Sequence, residues 1–237
     1  MIRWIGELSQ VSGLDVAWVW TVRLDSAEAH RALAAIPARP EDLADAAALP
    51  APDAGARRLI RRRLLRGMVA LAQGVGVERV RLARGPFGAP LAEGAHISAA
   101  ARGDWAVLAV SPAPVGVDLE LADGEAPPPI EGFAPSERSL IAGAADPSSA
   151  LWSAWVAKEA WAKAAGDSLD EALSAVQVIS FVPGEVVLRH GHQVQRAALR
   201  ATEGRVLAAL VLDLACPHRA HGGALPKQTP KAIFSTF

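Results

Sequence analysis

Residues 15–24, DVAWVWTVRL, are dense in β-branched and aromatic side chains and predict a strand, after which Asp25 or Ser26 caps a helix through about Ala35. The stretch PARPEDLADAAALPAPDAG carries a short helix after Pro40 and otherwise reads as a surface excursion. From Ala56 to about Gln73, Leu59 or Ile60, Leu64, Met68 and Leu71 recur at helical spacing while arginine fills most other positions, which predicts an amphipathic helix ending near Gly74. Strand patterns follow at VERVRLA, DWAVLAV and VGVDLEL, the first two separated by the Gly/Pro loop ARGPFGAPLAEG. The Pro-rich turn APPPIEG then marks a midpoint boundary.

The second half opens with a helix starting at Pro135 or Ser136, then a longer one, DPSSALWSAWVAKEAWAKAAG, capped by Asp146 or Ser148 and closed by Gly166. Four strand patterns come next, AVQVISFV, EVVLRH, VQRAALR and RVLAALVLDL, separated by the turn signals PG, GH and EG. Helices followed by a meander of strands argue for an α+β fold. Residues 216–237 lack periodicity and are expected to form an extended or disordered tail.

Composition narrows the function classes. At 51% hydrophobic, 21% charged and a net charge of -1, the 237 residues are neither disordered by composition nor basic enough for general nucleic-acid binding. One cysteine, Cys216, allows no internal disulfide and no Cys-rich zinc site. No apolar run is long enough to span a membrane and no export signal opens the chain, so a cytoplasmic location is expected.

In VGVDLEL, Asp118 and Glu120 are two apart and project from one strand face, with Val117 and Leu119 on the other. Two acids on one face repel unless something positive sits there. A hard cation such as Mg²⁺ meets that need; two solvated carboxylates are the plainer alternative. In WVAKEAWAKAAG, Trp155, Glu159 and Lys163 stand at i, i+4 and i+8 on one stripe, with Lys158 beside it. The plain reading is a surface Glu–Lys pair flanked by core tryptophans. Against it stands the lysine count: four lysines to twenty arginines, two of the four in this helix and the others, Lys227 and Lys231, in the tail. Retaining lysine suggests a point charge at a phosphate or a tunable base. The run Arg57, Arg58, Arg61, Arg62, Arg63 and Arg66 is a solvated helix face or a surface for a small polyphosphate or an acidic protein. Cys216, His218 and His221 are close in sequence but read as inert, His190 and His192 as solvated, and Gly85, Gly88 and Gly94 form no dinucleotide fingerprint.

GVDLE at 116–120, FAPSE at 133–137 and LWSAWVAKEAWAKAAGDSL at 151–169, taken together, resemble the surfactin-type (Sfp-like) 4'-phosphopantetheinyl transferases, with G-[IV]-D-[ILV]-E followed about forty residues later by W-x-x-K-E-x-x-x-K-x-x-G. Upstream, ARRLIRRRLLRG is similar to the family's Arg-bearing helix at Arg57 and Arg66, and GPFGAPLAEGAHIS to its G-x-P loop and the segment after it. The resemblance implies an α+β monomer of two pseudo-twofold halves, 1–114 with the Arg-rich coenzyme A-binding helix and 115–215 with the Mg²⁺-binding motifs, and an active site between them. It implies transfer of the phosphopantetheine arm of coenzyme A to a serine of an acyl- or peptidyl-carrier protein, leaving 3',5'-ADP. Asp118, Glu120 and Glu159 would hold Mg²⁺, and Glu159 would take the serine proton, directly or through a metal-bound water. Lys163 would neutralise charge at the pyrophosphate, Arg57 and Ser98 would also bind coenzyme A, and Trp155 would be structural. Two departures touch coenzyme A recognition: Ala99 stands where the family usually has histidine, and Ala89 where it often has a basic residue. Arg102 or an arginine of the 57–66 helix would then supply the missing charge. A homologue that binds coenzyme A or a carrier without turnover is the alternative, and another Mg²⁺-dependent phosphotransfer enzyme a third.

Overall fold

The computed structural model describes residues 1–212 apart from 124 and 203, so the tail and Cys216, His218 and His221 lie outside the described residues. Strand β1 (Ile2–Ile5) pairs in parallel with β2 (Ala17–Arg23), which runs antiparallel to β6 (Trp105–Ser111), itself antiparallel to β5 (His96–Arg102). The order of this four-stranded sheet is β1-β2-β6-β5. On one of its faces Trp18, Trp20, Val22, Leu108 and Val110 pack against α1 (Ala27–Ala34) and α3 (Pro52–Gln73). Between the two helices, α2 (Pro40–Ala47) packs on α3, and a short hairpin, β3 (Leu82–Arg84) and β4 (Pro90–Ala92), follows.

Strand β7 (Val115–Leu121) opens a five-stranded sheet ordered β7-β11-β10-β9-β8, built with β8 (Val176–Val182), β9 (Glu185–His190), β10 (Gln193–Thr202) and β11 (Arg205–Val211), all neighbours antiparallel. Helices α4 (Pro135–Ala142), α5 (Pro147–Ala165) and α6 (Leu169–Ala175) precede β8, and α5 crosses one face of the sheet. A third core joins the two sheets: Val19, Val107 and Ala109 from the first meet Val115, Val117, Leu119 and Leu207 from the second. Alternation along β7 therefore sends Val117 and Leu119 into this seam and leaves Asp118 and Glu120 on the α5 side.

The expected helix caps are present. Ser26 accepts from the Ala29 amide and Asp146 from the Ser149 amide, and α5 stops at Gly166 in the left-handed region. The structure adds β1, β4 and α6, which the sequence pattern did not predict, and differs from the sequence reading at further points. The stretch VERVRLA holds a 3₁₀ turn and then only the short β3. The chain also forms β5 from HISAAAR, which carries no strong strand signal. The connector before α3 is largely exposed and carries the expected short helix, but it is also anchored to the core: Asp42 on α2 is fully buried and binds Arg62 and Arg66 of α3.

Candidate metal centre and cleft

Helix α5 lies on β7 at backbone distance because the facing positions are small. Ala154, Ala157, Ala160 and Ala164 are buried, and Gly116 leaves no side chain in the way. A Cβ at Gly116 would collide with the Ala160 carbonyl and the Ala164 amide. This approach brings Glu159 of α5 to Asp118 and Glu120 of β7, one oxygen of each lying within 4.8 Å of the other two. Asp118 and Glu120 are 2% and 3% exposed.

Two cations answer the three acids. Lys163 Nζ donates to Asp118 Oδ1 at 2.5 Å and lies 3.6 Å from Glu159 Oε2. Arg102, at the end of β5, reaches across the seam and donates from Nε and Nη2 to both oxygens of Glu120, at 2.5 and 2.6 Å. That pairing raises the guanidinium's affinity for its proton further. One buried acid oxygen is left over: Asp118 Oδ2 finds no hydrogen-bond donor. Burial and the repulsion of Asp118 push the Glu159 carboxyl up to about 7. The donor set is all oxygen and hard, one buried lone pair is unclaimed, and the net charge of the group is negative; these residues fit a Mg²⁺-like ion.

A cleft of about 290 Å³ adjoins the acids, lined by Glu159, Lys163, Ser98, Ala99, residues 87–90 and residues 166–169. Ser98 is buried and its Oγ accepts from the Val117 amide at 3.1 Å, so it fastens β5 to β7 as well as walling the cleft. Gly88, Pro90 and Ala99 also wall a smaller pocket of about 70 Å³, whose far side is Arg58, Arg61, Arg62 and Leu65 of α3. The cavity beside the acids and the one beside the arginine helix therefore adjoin at Gly88, Pro90 and Ala99.

Most of that arginine run is internal. Arg58 binds Asp45, Arg62 binds Asp42 and Asp45, Arg66 binds Asp42, and Arg63 donates to the carbonyls of Leu33 and Ile36. Arg57 pairs with Asp104 at 3.3 Å on the surface and is not in the wall of that smaller pocket. Of the six, only Arg61 has neither a hydrogen bond nor an ion pair among the described residues. Burial and the Arg58 charge push its guanidinium below the ordinary value. The acids that consume the others come from α2, which a helical-periodicity reading of α3 could not see.

Lys158 is not at the site. It is fully buried, with Nζ 2.8 and 3.0 Å from the two Glu137 oxygens and 3.1 Å from the Leu173 carbonyl. Glu137 is the acid of FAPSE, a motif whose role the sequence alone did not supply. Trp155 packs beside Phe133 at 6.3 Å between ring centroids. His190, expected to be solvated, lies against Trp161 with ring centroids 4.9 Å apart.

The family model of the 4'-phosphopantetheinyl transferase superfamily matches residues 114–211, the stretch that holds Asp118, Glu120, Glu159 and Lys163. No curated protein matches the chain. Among the described residues, no helix is long and apolar enough to cross a membrane.

Proposed function

For a chain whose residues 114–211 match the family model of the 4'-phosphopantetheinyl transferase superfamily, we propose a cytoplasmic, monomeric enzyme of the surfactin-type subgroup that moves the phosphopantetheine arm of coenzyme A onto a serine of an acyl- or peptidyl-carrier protein. We divide it into halves at 114/115 and put the reaction in the cleft between them. The observation that carries the reading is the unclaimed Asp118 Oδ2 among three converging carboxylates, beside Lys163, next to a cleft that adjoins the Arg61 pocket at Gly88, Pro90 and Ala99.

Asp118, Glu120 and Glu159 would hold the divalent cation, which when bound neutralises the diphosphate of coenzyme A. Glu159 accepts the proton of the carrier serine as its Oγ attacks the phosphorus bearing the pantetheine arm; burial and Asp118 already favour protonation of this carboxyl. The bond from that phosphorus to the bridging oxygen breaks and 3',5'-ADP departs. Lys163 meets the charge left on the departing oxygen. The nucleotide's phosphate falls to Arg61 rather than Arg57, because Arg57 is engaged with Asp104 and Arg61 is unpaired in the adjoining pocket. Arg61 thereby takes over the charge that Ala99 and Ala89, both in the cleft wall, do not offer.

Intact-mass spectrometry of apo acyl- and peptidyl-carrier proteins incubated with the chain, coenzyme A and Mg²⁺ tests the proposal. The expected result is a gain of one phosphopantetheine arm with release of 3',5'-ADP, abolished by EDTA. Carrier or coenzyme A binding without any modification would instead assign a degenerate homologue.

A further inference from the structure

Among the described residues of the second half and its seam, the ion pairs whose acid is fully buried are of two sorts. In Lys158–Glu137 both members are buried, at 0% and 1% exposure, so neither leaves. In Arg102–Glu120 the acid is 3% exposed and the arginine side chain 48%; in Lys163–Asp118 the figures are 3% and 33%. In the second sort the acid is fixed and the cation, on a long flexible stem, is free to swing outward. Charge counting explains why it should. Three carboxylates with Arg102 and Lys163 carry one net negative charge. A divalent cation added to that set overshoots to one positive, and a diphosphate restores the balance. The guanidinium fork fits a phosphate as well as it fits a carboxylate.

Resting on the metal-site reading above, we propose that Arg102 is an exchangeable counter-ion: it clamps Glu120 in the metal-free protein, competes there with the divalent cation, and passes to the diphosphate when cation and coenzyme A bind together. The cation alone is then held weakly, and each ligand strengthens the other by the same factor. This ordering keeps the acids compensated at every stage, which a fixed arginine on Glu120 would not.

The test is Mn²⁺ binding by the full chain, followed by electron paramagnetic resonance, first without and then with coenzyme A. Arg102→Gln is expected to bind Mn²⁺ alone about tenfold more tightly, the order of one partly screened charge-assisted hydrogen-bond pair. It should also lose most of the strengthening that coenzyme A gives the wild type. Arg102→Lys, which keeps the charge without the fork, should fall between the two and stands in if the glutamine variant does not fold. Asp118→Asn, which should abolish binding, marks the site. Mn²⁺ held equally or more weakly by Arg102→Gln, while Asp118→Asn still abolishes binding, overturns the exchange alone and makes Arg102 an orienter of Glu120. No Mn²⁺ binding by the wild type, with or without coenzyme A, removes the metal-site reading and the exchange with it.

Discussion

Lys158 and Lys163 lie five residues apart on one helix, and their replacement should have opposite consequences. Lys158→Met removes one partner of a fully buried pair and strands Glu137. Breaking such a pair from one side costs about 3–5 kcal/mol. Glu137 keeps two backbone donors, the Ala134 amide at 2.8 Å and the Val178 amide at 2.7 Å, so the lower end, about 3 kcal/mol, is expected. For a chain of this size that is a fall in Tm of about 6–12 °C. Adding Glu137→Gln, which withdraws the stranded charge but keeps an acceptor, should restore about 1–2 kcal/mol. The assay is urea unfolding followed by tryptophan fluorescence, where the midpoint moves and the slope does not.

Turnover is the second half of the test. Lys158→Met should transfer the phosphopantetheine arm at the wild-type rate per folded molecule. Lys163→Met in saturating Mg²⁺ should lose transfer by about 10²–10³-fold, the usual cost of one preorganised charge-stabilising donor, with less than about 1 kcal/mol lost from stability because its side chain is one-third exposed. A Lys158→Met protein that is stable yet inactive would refute the reasoning and return Lys158 to the site.

Glu159→Gln should abolish transfer. In EDTA the wild-type Glu159 carboxyl, raised from 4.5 to about 7, stays protonated in the folded chain where the unfolded chain has ionised. Stability must therefore fall as pH rises through that window, by about 3 kcal/mol, and thermal melts of Glu159→Gln across the same range should lack this slope. Arg61→Ala should raise KM for coenzyme A about tenfold and barely change it for 3'-dephospho-coenzyme A, whereas Arg57→Ala alters neither in steady-state kinetics. Gly116→Ala should cost about 3 kcal/mol in chemical denaturation, since its Cβ meets the backbone of α5 rather than a side chain able to yield.

The acids were legible because strand alternation has a period of two and needs no tertiary knowledge: Asp118 and Glu120 do share a face, and Val117 and Leu119 do enter the opposite core. The stripe of Glu159 and Lys163 was legible for the same reason at helical period. Five residues turn a helix by about 140° beyond a full circle, so Lys158 and Lys163 cannot share a face; grouping them by rarity hid that one is buried in a structural pair. The arginine run misled because its acid partners, Asp42 and Asp45, sit on a short helix within a stretch that otherwise read as a surface excursion. Strand β5 was missed because its alanines are small for the seam with β7, a packing requirement that no strand propensity expresses.

The same small residues account for why a metal-binding cluster exists here at all. Carboxylates from a strand and a helix converge within 4.8 Å only when the two backbones come closer than large side chains permit. Gly116 and the alanines of α5 provide that closeness, and Trp152 and Trp161 fill the core to either side of the contact. The closeness carries an electrostatic cost, because it forces three acids together in a place where water cannot screen them. Since β7 is the edge of its sheet, the strand beside it belongs to the other half, and that strand carries Arg102. Compensation of the acids is thus delegated to cations on β5 and on the exposed side of α5, both able to leave. A cluster placed in the middle of the sheet would have had strands of its own sheet on both sides, and no such route for exchanging a counter-ion across the seam.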